Sequence, residues 1–459
     1  MKTLRQCNKP LLLGMLLAST ALANAQVTLL HSLYDTTYDY TRVYRLGWSV
    51  AAEGNLIAVG APCDDTPRTI IFDATTGSLK HMLISPSPLL SRGFGRSVAI
   101  SGSRIVVGAF LGNSGAIDSG NVFVYDLAKS VPTTPVMTLT NPSPEVADYF
   151  GFTVAISGNR IAVGAIADDT GAEGAGSVYV YDLASPVGAP PVYTLTNPSP
   201  ATSEQFGNGL AIHDTLLVIG GYNDENAYVY DLAGATPTVP MFPLRNPGRG
   251  LYADQFGSAM AISGTRAVIG SWGDDTTMSD AGVAYIYDLA GANPAVPSIT
   301  LTNPSPAPRS YFGYSVSISG TRVVVGTLLA QRAYVYELTS ATPTIPVATL
   351  VSPSPAAEEF GFAVAVAGTT VVVGTPSDST RLFRSGAAYL FGPNPTLSIS
   401  RPTPAFARIA WTPTTSSGFV LQYRDGFGPG TWLNAPSGPT NPITVPAMNV
   451  SRYYRLYRP

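Results

Sequence analysis

The chain has 459 residues, 45% of them hydrophobic and only 12% charged, with 26 basic and 29 acidic residues and a formal net charge of −3. The balance excludes the basic footprint of a nucleic-acid binder. No segment after the first 26 residues is apolar for long enough to span a bilayer as a helix, and no convincing amphipathic helix lies there.

Residues 1–25 read as a secretory signal. Lys2, Arg5 and Lys9 form a basic start, Leu11 to Leu17 is a short apolar run, and Ala23-Asn24-Ala25 is a small-residue cleavage site before Gln26. The mature chain is expected to be exported, either released or held in a cell envelope. Removing the signal takes away three basic residues and no acid, which brings the charge to −6. One cysteine remains, Cys63, which excludes an intramolecular disulfide and reads as a small residue of a loop.

From residue 46 a unit recurs. Its anchors are Leu46-Gly47 and then Phe-Gly at 94–95, 150–151, 206–207, 256–257, 312–313 and 360–361; the steps between the glycines are 48, 56, 56, 50, 56 and 48 residues. Seven units with a period of roughly 50, each holding four strand-like runs, predict a seven-bladed β-propeller. In the third unit the runs are Phe152 to Ser157, Arg160 to Ala165, Ser177 to Tyr181 and Pro191 to Thr196. They are rich in Val, Ile, Tyr and Thr and bounded by Gly, Pro, Asn and Asp. Turns such as Ser157-Gly158-Asn159-Arg160 supply the positive φ that a tight hairpin demands. The aspartates of Tyr125-Asp126, Tyr181-Asp182, Tyr230-Asp231 and Tyr287-Asp288 read as acceptors for free N–H groups at the end of the third strand. Asn-Pro-Ser-Pro (141–144, 197–200, 303–306) stops the fourth strand and carries the chain onward.

The seventh unit loses the pattern after Phe391 and lacks a fourth strand, whereas Val27 to Ser32 has strand character and no other partner. It is expected to complete the last blade and hide both edges of the ring. The propeller thus covers 26–392. Residues 393–396 (Pro-Asn-Pro-Thr) read as a linker. Residues 397–459 hold two of the four tryptophans and no Phe-Gly repeat. Strand candidates there are Leu397 to Arg401, Ala407 to Thr412, Gly418 to Arg424 and Arg452 to Tyr457. An early-strand Trp411, the Val-Leu-Gln-Tyr strand and the closing Tyr-Tyr-Arg-Leu resemble a compact fibronectin-type-III-like β-sandwich. The fold class is all-β throughout.

Phe-Gly followed in fixed order by Gly-Ala, as in Phe150-Gly151 with Gly164-Ala165, resembles the FG-GAP repeat of integrin-α-like propellers, over residues 46–391. Calcium-binding members of that family carry an Asp-x-Asp-x-Asp-Gly loop between the first two strands. Here a short Ser-Gly-Asn-Arg turn takes that place, and the family's calcium role carries over onto no residue. Acidic pairs do occur one loop later: Asp64-Asp65, Asp168-Asp169 and Asp274-Asp275, with Asn223-Asp224-Glu225 and Ser377-Asp378-Ser379 at corresponding places. They read as turn caps; the sharper reading is a ring of polar groups that binds a cation or a sugar.

No catalytic residue is assigned. The mature chain has three histidines, of which His213 stands beside Asp214 in a hairpin turn, a poor geometry for a base and its orienting partner. Nucleophile elbow, zinc-protease, phosphate-loop and dinucleotide motifs are missing, and no cofactor is implied. The expected function is non-enzymatic binding or adhesion toward a protein or glycan at a cell surface or matrix. The alternative is a secreted polysaccharide hydrolase or lyase with its carboxylates assembled in the central cleft.

Overall fold

The computed structural model describes residues 27–37, 44–62, 66–86, 91–248, 254–393, 396–403, 406–412, 420–425, 431–435, 442–446 and 452–457. The expected signal over 1–25, Cys63, Asp64, Asp65 and part of the 393–396 linker lie outside the described residues.

Seven four-stranded antiparallel sheets follow one another as blades of a propeller. Blade three is representative: Phe150–Ser157, Arg160–Ala165, Ser177–Asp182 and Tyr193–Thr196, in that order across the sheet. In blade seven the first three strands are Ala363–Ala367, Thr370–Thr375 and Ala387–Pro393, and the fourth is Val27–Leu33, antiparallel to the third from Val27↔Pro393 to Leu33↔Ala388. The ring is therefore closed by hydrogen bonds between its two ends, with the N-terminal strand as the outer edge of blade seven.

Blades pack face to face, and each seam holds its own core. Between blades two and three, Val106, Val122, Val124 and Leu139 meet Phe150, Val154, Ile161, Val163, Tyr179 and Tyr181. The third strand is thus buried on both faces: Val178 and Val180 pack toward blade four, Tyr179 and Tyr181 toward blade two. The six Phe of the Phe-Gly pairs and Leu46 are each 0% exposed. Edge-to-face contacts recur at these seams, with Phe94–Tyr125, Phe150–Tyr181 and Phe312–Tyr336 centroids 6.3, 6.3 and 6.4 Å apart.

The glycines explain the repeat. A Cβ on Gly108 would lie 2.0 Å from the carbonyl oxygen of Gly151 in the next blade; on Gly270 it would lie 2.0 Å from that of Gly313, and on Gly374 2.1 Å from that of Gly47. The same contact recurs at Gly60, Gly164, Gly220 and Gly326. Thus the glycine near the end of the second strand, followed by Ala in blades one to three and by Gly, Ser or Thr in the others, meets the glycine of Phe-Gly (Leu-Gly in blade one) in the next blade, backbone on backbone. Hydroxyls reinforce the seam: Ser49 Oγ donates to Gly95 O (2.8 Å), Ser97 Oγ to Gly151 O (3.0 Å) and Ser315 Oγ to Gly361 O (2.8 Å).

The Phe-Gly segment is also a bulge. In blade three Phe150 pairs with Ala165 and Thr153 with Gly164, which leaves Gly151 and Phe152 outside the ladder. Blades two and six shift register in the same way. A bulge re-aims the side chain that follows it. The residue before each Phe is left-handed in every blade, from Tyr311 at φ 52° to Gly93 at 73°.

After the ring, two three-stranded sheets form a small sandwich. One holds Thr396–Thr403, Phe406–Thr412 and Ile443–Pro446; the other holds Leu433–Asn434, Val420–Asp425 and Arg452–Tyr457. Trp411 (2% exposed), Ile409 and Ile443 of the first meet Leu421 of the second. Leu433–Asn434 and Ile443–Pro446 were not marked by the sequence pattern.

Gly108→Ala is expected to destabilise the protein by about 3 kcal/mol, because backbone faces the new Cβ on the far side of the seam. Gly158→Ala sits at φ 57° with nothing within 4 Å of the new Cβ, so its cost is the left-handed penalty of about 1 kcal/mol. Denaturant unfolding of the two variants measures the difference.

Candidate functional site

The acidic loops come first, since they carried the sharpest expectation. Asp168 is buried (4% exposed) and accepts hydrogen bonds from Tyr179 Oη (2.8 Å), Ser177 Oγ (3.1 Å) and Thr170 N (2.9 Å). Asp169 accepts from Gly174 N at 2.7 Å. Asp274 repeats this with Tyr285 Oη (3.0 Å) and Thr276 N (2.7 Å), and Asp275 with Asp280 N (2.7 Å). Asp378 does so with Tyr389 Oη and Thr380 N. In the two described Asp-Asp pairs the first carboxylate is tied beneath the tyrosine of its own blade, and the second closes its loop. Each is occupied by its own blade rather than facing a shared centre, and no cluster of three or more potential metal ligands occurs among the described residues. The aspartates that end the third strands accept backbone N–H bonds, as at Ala128 N→Asp126 (3.0 Å) and Ala184 N→Asp182 (2.9 Å).

The ring surrounds a central channel whose wall is the seven first strands. Its middle is aliphatic: Val98, Val154, Leu210, Met260, Val316 and Val364 line a cavity of 270 Å³. The two mouths differ from the middle and from each other.

The mouth on the side of the strand-one turns holds a cavity of 530 Å³ lined by the last residue of each first strand, with Glu53 and His213 among serines. Most of those side chains bind the next blade. Ser101 Oγ accepts from Gly158 N (3.0 Å), Ser157 Oγ from Asp214 N (2.9 Å), Ser263 Oγ from Gly320 N (2.9 Å), and Glu53 Oε2 from Gly102 N (3.1 Å). His213 Nε2 is 3.9 Å from Asp214 Oδ2, and that carboxylate is largely exposed. This end is structural ring-bonding, not a poised acid–base pair.

The opposite mouth is built by the residue that follows each Phe-Gly. It is a different residue in nearly every blade: Trp48, Arg96, Phe152, Asn208, Ser258, Tyr314 and Phe362, around a cavity of 230 Å³. The bulge in blades two, three and six, and a turn just before the first strand in the other four, deliver these side chains to the mouth. They form one connected arc. Arg96 Cζ lies 4.3 Å from the Phe152 ring and 5.5 Å from that of Trp48; Trp48 meets Phe362 at 4.8 Å, Phe362 meets Tyr314 at 5.3 Å, and Tyr314 meets Trp272 at 6.0 Å. Phe110 extends the arc beyond Phe152 (5.4 Å) to Tyr149 (5.7 Å), and Trp272 Nε1 donates to Ser258 Oγ at 3.1 Å. All of these aromatics are half-buried, with one face or edge open. Stacked π-faces around a concavity can bind flat apolar surfaces, including the faces of sugar rings. Sequence reading passed over this set. Its signal was available: aligning the seven units on Phe-Gly and reading the next column.

An FG-GAP repeat family model matches residues 91–125, 134–181, 250–287 and 352–391. No curated protein matches the chain. Among solved structures, the chain is similar to a virginiamycin B lyase from Staphylococcus aureus, with 9% identity, a TM-score of 0.54, and 80% of this chain and 100% of that chain covered. It is also similar to the WD40 domain of a coronin from Toxoplasma gondii, with 10% identity, a TM-score of 0.50, and 80% and 86% covered. At such identity the likeness is one of propeller fold.

The loop of blade four contains a carboxylate with a measurable signature. Asp224 is 8% exposed, and burial pushes its pKa from 3.8 up to about 6, against the hydrogen bond from Asn226 Nδ2 (2.9 Å) and with help from the Glu204 charge. A folded-state pKa above the unfolded one means that the native state holds this proton more tightly. Its contribution is favourable below pH 4 and is lost as pH rises through about 6. Asp224→Asn removes that loss. It is expected to match wild type at pH 4 and to exceed it at pH 7.5 by up to about 3 kcal/mol, read from thermal unfolding of both proteins across that range.

Proposed function

We propose that the chain is an exported recognition module that presents the aromatic mouth of its ring to a protein or glycan at a cell surface or matrix. One observation carries this reading: the residue after Phe-Gly, outside the glycine contact of the seam, is used to build a continuous arc of half-buried aromatic rings at one mouth. The export part rests on the character of residues 1–25. Among the described residues no helix is long and apolar enough to cross a membrane. The C-terminal sandwich, beginning at Thr396 and fibronectin-type-III-like in its strand pattern, acts in this reading as an accessory module.

The hydrolase or lyase alternative needs carboxylates or an acid–base pair at the cleft. The described lining offers aliphatic side chains in the middle, bonded serines with Glu53 and His213 at one mouth, and aromatics with Arg96 at the other. Binding suits this inventory better than bond cleavage.

The test uses the exported chain against immobilised neutral and acidic polysaccharides, with product analysis alongside. Binding to one glycan class is expected, with no cleavage products. Trp48→Ala should weaken it at least 10-fold, as loss of an aromatic anchor does. Val187→Ala, at a side chain that is 75% exposed in the loop after Asp182, which pairs with Arg160 at the strand-one turn end of blade three, should leave it unchanged. Equal effects of the two variants would overturn the location, and shortened or unsaturated products would favour the enzyme.

A further inference from the structure

Arg96 is an anomaly within the mouth. Its half-buried side chain places the guanidinium 4.3 Å from the Phe152 ring and 5.5 Å from that of Trp48, and burial draws its pKa down from the ordinary arginine value while the neighbouring Tyr314 opposes this. Among the described residues no carboxylate or carbonyl forms an ion pair or hydrogen bond with it. A guanidinium carries five N–H donors and keeps its charge in any protein environment, so it is left wanting an acceptor, and desolvating a charge without a partner is costly. By contrast Arg68, at the junction of the closing strand and blade one, has Asp35 Oδ2 at 2.9 Å. A second cation flanks the same aromatic, with Arg45 Cζ 5.4 Å from the Trp48 ring. The Trp48 indole nitrogen is itself a buried donor without an acceptor among the described residues. The carboxylate of Glu359, which acts on Tyr314, is engaged by Ser377 Oγ at 2.6 Å.

Resting on the reading of the mouth as the binding surface, we infer that it takes a sugar bearing a carboxylate, entering end-on as the terminal residue of an acidic glycan. The carboxylate meets Arg96, in the bidentate geometry that guanidinium favours, and the sugar ring lies against the aromatic arc. Three features set this occupant apart. The cavity of 230 Å³ suits one residue rather than a chain passing through. The aliphatic layer below it has no partner for a second charge. The excess of acid over base in the exported chain (29 against 23 without residues 1–25) disfavours a long polyanion lying across the surface.

The experiment is calorimetric titration of the exported chain with oligouronates, their methyl esters, neutral oligosaccharides of the same linkage, and sialosides. The acid is expected to bind at least 10-fold more tightly than its ester. Arg96→Gln should abolish that preference, and Arg96→Lys should keep part of it. Uronate should raise the Tm of wild type and leave that of Arg96→Gln where it is, which separates lost binding from lost folding. Sialoside binding in place of uronate binding would keep the carboxylate chemistry and change its source. Equal binding of acid and ester would overturn the inference while leaving the aromatic mouth as the binding surface. Binding of neither acid to a folded chain would overturn it as well, and insensitivity of every ligand to Trp48→Ala would remove the mouth reading itself.

Discussion

Everything in the ring follows from one contact: the second-strand glycine of one blade against the carbonyl of the Phe-Gly glycine in the next. Seven such contacts bring adjacent backbones closer than any side chain allows. They also fix which faces meet, because the Phe beside each contact is driven into the seam core. The residue before it must then turn left-handed and the residue after it must leave the ladder. Seam, core, turn and bulge are consequences of one approach distance, and this is why the motif recurs as a block rather than as independent preferences.

The same contact divides the two ends of the channel. On the turn side the first strands finish in serines, and these bind the next blade's backbone, so that end is consumed in holding the ring. On the bulge side the ring is already secured by glycine and hydroxyl contacts one residue away. The side chain after Phe-Gly lies outside the glycine contact, and it varies from Trp to Arg to Asn around the circle. Chemistry collects where the fold makes no demand. The acidic loops illustrate the opposite case. Their conspicuous Asp-Asp pairs are spent under tyrosines and on loop N–H groups.

The architecture was legible because seven copies of a backbone constraint leave seven copies of a sequence signal. Phe-Gly, Gly-Ala, the Ser-Gly turns and the Tyr-Asp strand ends each answer a local stereochemical demand. The bulge was hidden: the first strand of blade three begins at Phe150, two residues before its alternation becomes visible, because Gly151 and Phe152 interrupt the pairing. The sandwich was only half visible, since Leu433–Asn434 is two residues long and Ile443–Pro446 is hemmed by prolines. The mouth was not legible at all to a search for recurrence, because its residues are the ones that do not recur. Only the ring geometry brings Trp48 beside Phe362, at opposite ends of the repeat array and 4.8 Å apart in space.

Hydrogen–deuterium exchange of residues 26–459, with and without a bound oligouronate, tests the central claim most directly, since it reports where the ligand sits without altering the protein. The account predicts protection confined to the segments at the five anchor pairs that are followed by an aromatic residue or Arg96, around residues 47–50, 95–98, 151–154, 313–316 and 361–364. Protection instead at the strand-one turns around 53–55, 101–103 and 213–215, or in the sandwich, would contradict it.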